Sequence, residues 1–184
     1  GAGTVIQDDP LLTVREVPGA SPIRVVVDSG LRAPLESQLF GDEGSTLVLT
    51  TAASDPQARD ALRRACAGVE VVAADRDGRV DLHAGLARLR EMGMEVVLVE
   101  GGATVVTALL AARLVDRLIV SVAPLLIGAG VDAVGELGVQ QVTDAIRLTN
   151  RTVATAGDDI VIAGDVTPPT ATGSGFHPTP SSSS

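Results

Sequence analysis

The chain has 184 residues, 45% of them apolar, which suits one domain with a sizeable core. Its net charge is −9, all 14 basic residues are arginine, and Phe40 and Phe176 are the only aromatics, so it lacks the basic field and stacking rings of a nucleic-acid binder. No apolar run nears the roughly 20 residues that span a bilayer, no basic-then-apolar leader opens the chain, and two histidines with one cysteine give no zinc spacing, so a cytoplasmic protein without membrane or metal partners is expected.

In chain order, Gly1-Ala2-Gly3-Thr4-Val5-Ile6 is too short and glycine-rich for a stable strand of its own and reads as the end of an element whose earlier part is absent. The segment Gln7-Asp8-Asp9-Pro10-Leu11-Leu12-Thr13-Val14-Arg15 reads as an Asp-Asp-Pro turn leading into an edge strand that ends in a guanidinium. Residues 18–22 form a loop, and 23–27 a buried strand closed by Asp28-Ser29-Gly30. Nucleotide folds often place ribose or phosphate contacts at such a turn, although capping and turn-making explain Asp28 and Ser29 equally well.

Another strand is expected over 46–50, followed by Ser54-Asp55-Pro56 at the start of a helix whose stripe is Ala58, Ala61, Leu62 and Ala65. Cys66, in the same helical pattern, reads as a buried or half-buried thiol with no internal disulfide partner. A strand over 69–73 and a turn over 75–78 lead to Asp81, which caps a helix carrying Leu82, Leu86 and Leu89 and ending at Gly93. His83 in its first turn reads as a solvated helix residue, because nothing around it suggests a partner.

The organising stretch follows. Val96-Val97-Leu98-Val99 reads as a short strand buried on both faces, stopped by Gly101 and Gly102, with a helix over 103–113. A strand, a tight glycine turn and a helix N-terminus form an anion site, since free N–H groups and the positive end of the helix dipole point the same way. The turn lacks the G-x-G-x-x-G spacing, and a plain βα turn is the alternative reading. Beyond it, 117–123 reads as a strand ended by Pro124, 125–130 as an apolar glycine-rich loop, and 147–154 with 159–163 as a hairpin across Ala156-Gly157-Asp158. Strands alternating with helices predict a mainly parallel sheet with helices on both faces, finished by an antiparallel hairpin. The domain should cover 1–166, and 167–184, rich in Pro, Ser and Thr, should be a disordered tail.

The ordered set Gly1-Ala2-Gly3-Thr4-Val5, Asp8-Asp9-Pro10-x-Leu12-Thr13-Val14-Arg15, Pro22-Ile23-Arg24-Val25-Val26-Val27-Asp28-Ser29, Val99-Glu100-Gly101-Gly102-Ala103-Thr104 and Ala123-Pro124-x-x-Ile127-Gly128 resembles the reductase domain of riboflavin biosynthesis. That domain is the C-terminal half of a bifunctional deaminase/reductase and also occurs as a free-standing pyrimidine reductase. The resemblance implies a dihydrofolate-reductase-like three-layer α/β fold, NADPH as hydride donor, a homodimer, and reduction of a ribosylamino-pyrimidine 5′-phosphate to its ribitylamino product.

Carried over by position, Thr4, Asp8 and Ser29 match cofactor contacts, and Gly102, Ala103, Thr104, Val105, Val106, Thr107 and Ala108 match the pyrophosphate-binding turn and helix. Leu12, Arg15 and Glu100 match substrate contacts. The chemistry of the side chains agrees: Arg15 offers a planar fork of donors to a phosphate, whereas Glu100 would repel phosphate and suits the amino and ring N–H groups of a pyrimidine. Hydride comes from the cofactor, so the protein mainly aligns the nicotinamide with C1′, and Asp8, Glu100 or a water delivers the proton.

Two departures from the family pattern add expectations. The family carries a strand and helix, with a Ser-Leu-Asp-Gly-like motif, before the Gly-x-Gly-Thr segment, and nothing in this sequence corresponds to them. The first strand is therefore expected to be missing, and the 184-residue chain not to be an efficient reductase. The deaminase signature, His-x-Glu with Pro-Cys-x-x-Cys, is absent too, which excludes zinc-dependent deamination for this chain. Rival readings are a dihydrofolate-reductase-like NADPH reductase of another heterocycle, for which a phosphate clamp has no use, and a non-catalytic remnant or dimerisation module.

Overall fold

The computed structural model describes residues 1–41, 45–65, 68–100 and 102–167, so the expectations for the Cys66 thiol, for Gly101 and for the tail from 168 lie outside the described residues. The chain divides into two compact units, the first made of Gly1–Leu114 and Val131–Gly135, the second of Val115–Gly130 and the chain from Glu136 onward.

The first unit is built on three parallel strands in the order β1 (Arg24–Val27), β2 (Thr46–Thr51) and β3 (Gly68–Val72). All six residues of β2 are buried, as a central parallel strand covered on both faces requires. Side-chain alternation sends Val26, Val48 and Val69 to one face, where they pack with Val5 of α1 (Ala2–Asp8) and Leu62 of α2 (Pro56–Ala65). Leu47 and Leu49 point the other way, against Leu86 and Leu89 of α3 (Leu82–Glu91). Helices on both faces of a parallel sheet are thus present, and the two cores follow from period-2 patterning within single strands. Asp81 caps α3 by accepting a hydrogen bond of 3.1 Å from the Ala84 N–H, as its place before an apolar helical pattern predicts. α4 (Ala103–Ala111) completes the unit.

The second unit carries three antiparallel strands in the order β4 (Arg117–Val122), β6 (Asp159–Thr167), β5 (Arg147–Ala156). β5 and β6 form the expected hairpin, turning at Gly157 with a φ of 60°, and the register shifts between Thr149 and Thr152, where Asn150 adopts a φ of 45°. The parallel and antiparallel ladders are separate.

Four expectations need correction. Residues 1–6 do not end a strand but belong to α1, because Ala2 and Val5 stand one helical turn apart on the buried side and the Asp9 N–H closes the helix on the Val5 carbonyl at 3.1 Å. The segment after Asp-Asp-Pro is not an edge strand. Asp9, Leu12 and Glu16 take φ values of 41°, 49° and 66°, which no strand accommodates. The third correction concerns Val96-Val97-Leu98-Val99, which belongs to no ladder and is exposed at 89%, 41%, 72% and 40% rather than buried. β-branched composition suits a strand, but a strand exists only where a neighbouring backbone takes up its N–H and C=O groups, and this run has no such neighbour among the described residues. The α2 stripe is also narrower than expected, with Leu62 buried, Ala58 and Ala61 half-buried and Ala65 exposed.

Candidate active site

All the site residues expected from the sequence fall in the first unit. Gly102 stands at the N-cap of α4 with a φ of 78° and no side-chain cap. A Cβ built there would lie 2.8 Å from Thr4 Oγ1, so α1 and the start of α4 touch at two positions that the family resemblance implies for the cofactor. Only glycine meets both demands, a left-handed backbone and close approach. Intrahelical bonding starts with the N–H groups of Val105 and Val106, which both reach the Gly102 carbonyl, at 3.0 and 3.1 Å. Among the described residues the N–H groups of Ala103 and Thr104 find no partner at the positive end of the helix dipole, a cradle that fits a pyrophosphate. Thr107 is committed elsewhere: its hydroxyl donates to the Ala103 carbonyl at 2.6 Å and accepts the Gly135 N–H at 2.7 Å, tying residues 131–135 to the helix.

Beside this junction lies an apolar cleft of about 200 Å³. β1 forms one side of it, residues 96–100 another, and Leu86 and Leu89 of α3 a third. Four expected site residues line it, namely Thr4, Leu12, Glu100 and Val105. Gly1, the N-cap of α1, also lines it. The exposed Val96–Val99 run is thus a wall of the cleft rather than a strand of the core, a role that the sequence did not announce.

Ser29 follows β1 and is held tightly. Its hydroxyl oxygen accepts the Val80 N–H at 2.9 Å, and its carbonyl accepts the hydroxyls of Thr50 and Thr51 at 3.1 and 3.4 Å. With the oxygen engaged as an acceptor, the hydroxyl proton remains for a ligand. Asp28, buried beside it, accepts the Ala33 N–H at 2.8 Å and so fixes the turn that follows.

The remaining expected residues stand apart from the cleft lining. Asp8 is exposed at the end of α1, and Arg15 is exposed with no ion pair among the described residues, free to meet a phosphate. Between them lie two left-handed residues, Asp9 and Leu12, and a third, Glu16, directly follows Arg15. Each such conformation costs about 1–3 kcal/mol outside glycine and persists only where the surroundings impose it. In the sequence Asp9 stands out only as part of a turn, although Asp is a residue type that tolerates the left-handed region. Of the two residues that hold this loop, Gln38 carried no sequence signal and Arg24 stood only within the Pro22–Ser29 motif.

The layered α/β fold, the glycine-started α4 and the adjoining cleft define a ligand-binding domain of the nucleotide-cofactor type. The chain belongs to the RibD C-terminal domain family, whose pattern matches residues 1–162. It is 40% identical over 168 residues to the 2,5-diamino-6-ribosylamino-4(3H)-pyrimidinone 5′-phosphate reductase of Methanothermobacter thermautotrophicus, covering 88% of this chain and 76% of that protein. It is 31% identical over 163 residues to the riboflavin biosynthesis protein RibD of Aquifex aeolicus, where it spans only 44% of the relative. Among solved structures, RibD of Acinetobacter baumannii superposes with a TM-score of 0.72 at 24% identity, covering 90% of this chain and 45% of that one. The dihydrofolate-reductase-like fold expected from the sequence is therefore the fold of this chain. Among the described residues, no helix is long and apolar enough to cross a membrane.

Proposed function

We propose that the chain is the NADPH-dependent reductase of riboflavin biosynthesis that converts a ribosylamino-pyrimidine 5′-phosphate, the aminouracil or its diaminopyrimidinone analogue, into the ribitylamino product, as a cytoplasmic homodimer. The observation that carries this reading is the meeting of Thr4 with Gly102, which brings two distant cofactor positions to one helix N-terminus. In this reading NADPH supplies the hydride. The residues of the chain bind and orient: the Ala103 and Thr104 N–H groups hold the pyrophosphate, Ser29 donates its hydroxyl proton to the adenosine end, and Arg15 takes the substrate phosphate. Glu100, on the wall of the cleft, accepts hydrogen bonds from the pyrimidine, and the apolar walls exclude water from C1′. Asp8 ends α1 outside the cleft lining, so of the two carboxyls Glu100 stands nearer the heterocycle.

Pairing of two copies is supported by the apolar surface of the second unit, where Ile119, Leu125, Ile127 and Val153 are all more than half exposed. Titration calorimetry with NADPH and NADH, followed by NADPH oxidation with the phosphorylated pyrimidine, tests the reading. Tighter binding of NADPH is expected, and equal affinity for the two cofactors removes the preference.

A further inference from the structure

The loop from Pro10 to Arg15 delivers two expected substrate contacts, and it is strained, so something outside it must impose its shape. That restraint converges on Asp9. The Gln38 backbone N–H donates to Asp9 Oδ1 at 2.8 Å, and Gln38 Nε2 donates to the Asp9 carbonyl at 2.9 Å and to Oδ2 at 3.2 Å. Gln38 is itself well anchored. It opens a 3-10 turn, Gln38–Phe40, whose next two residues, Leu39 and Phe40, are buried at 0% and 7% in the core shared with Val5. A second, weaker tie comes from the buried Arg24, whose guanidinium donates to the Leu11 carbonyl at 3.4 Å. One residue later, Leu12 takes its φ of 49° and enters the cleft wall.

We propose that Gln38 is a positioning residue for the substrate: through Asp9 it holds the strained loop so that Leu12 faces the cleft and Arg15 is presented to the substrate phosphate, without itself touching either ligand. The proposal rests on the reading that Leu12 and Arg15 bind substrate. It makes Asp9, a carboxylate that neither cofactor nor substrate claims, the hinge pin of the site. A backbone N–H and a side-chain amide on one residue read both the side chain and the carbonyl of Asp9, which fixes its left-handed conformation from two sides.

Two variants test it. Gln38→Ala keeps the backbone bond and removes the amide, and Gln38→Glu sets a carboxylate against that of Asp9. Two measurements are made on each: native-state trypsin cleavage after Arg15, read by release of the 1–15 peptide, and calorimetric affinity for the ribitylamino-pyrimidine phosphate and for NADPH. Gln38→Ala is expected to speed cleavage severalfold and to weaken the pyrimidine phosphate about fivefold to tenfold, with NADPH affinity unchanged. Gln38→Glu should do more, because its carboxylate repels that of Asp9 and offers no donor to the Asp9 carbonyl. Unchanged cleavage in both variants overturns the clamp. Faster cleavage with unchanged pyrimidine affinity overturns instead the placing of Leu12 and Arg15 on the substrate. Equal weakening of both ligands shows a general structural role and overturns the proposal.

Discussion

Val25-Val26-Val27 and Val96-Val97-Leu98-Val99 are close to interchangeable as sequences, yet Val26 is 1% exposed in a hydrogen-bonded ladder and Val96 is 89% exposed in none. Both belong to the first unit, and both line the same cleft. What separates them is pairing. β1 has β2 beside it, whose own residues are buried throughout, and the register from Arg24–Thr46 to Val27–Leu49 satisfies one edge of its backbone. The 96–99 run has no such neighbour among the described residues, and its side chains line the open cleft instead of a closed core. Hydrophobic composition creates the demand for burial, and a paired backbone is what lets a strand meet it.

The comparison is sharpened inside the chain by truncating one leucine on each side of it. Leu49, 2% exposed on β2 and packed in the α3-side core, should lose about 2–5 kcal/mol as Leu49→Ala in urea unfolding. Leu98, 72% exposed on the unpaired run, should change by no more than about 0.5 kcal/mol as Leu98→Ala. A large loss at Leu98 means that the run is buried in solution and breaks the contrast.

Most of the first unit was legible for the same reason that it is stable. The β1, β2 and β3 patterns, the Asp81 cap and the Pro56 start are local signals that agree with the burial they produce. The misreadings at 1–6 and 96–99 arose where local composition allowed two answers and a tertiary neighbour decided. The Gly102 turn was legible because a positive φ at a helix start selects glycine. Its contact with Thr4, the grip of Gln38 on Asp9 and the spent hydroxyl of Thr107 were not, since contacts between residues far apart in sequence leave no period or spacing to read.

The loop and turn around the cleft should behave oppositely to the ladder, showing their loss in ligand affinity rather than in stability. Arg15 is exposed and unpaired by any carboxylate among the described residues, so Arg15→Ala should leave unfolding nearly unchanged. A charge-assisted contact to a phosphate is worth about 1.5–3 kcal/mol, a tenfold to hundredfold loss of affinity for the phosphorylated pyrimidine, while NADPH binding stays the same. Weaker NADPH beside an unchanged pyrimidine affinity places Arg15 on the wrong ligand.

The smallest expected effect separates two demands made on one glycine. Gly102→Ala meets both the left-handed backbone, φ 78°, and a Cβ at 2.8 Å from Thr4 Oγ1. The backbone part costs about 1–2 kcal/mol for an L residue, and the steric part depends on whether Thr4 gives way. In the double variant Thr4→Ala, Gly102→Ala the obstructing hydroxyl is gone and only the backbone part remains. NADPH affinity should therefore fall about tenfold in Gly102→Ala, and the added Thr4→Ala should restore part of it although it removes an expected cofactor contact. Further weakening in the double variant shows that Thr4 Oγ1 serves the cofactor more than it crowds residue 102, and an unchanged affinity in Gly102→Ala takes the cofactor away from the start of α4.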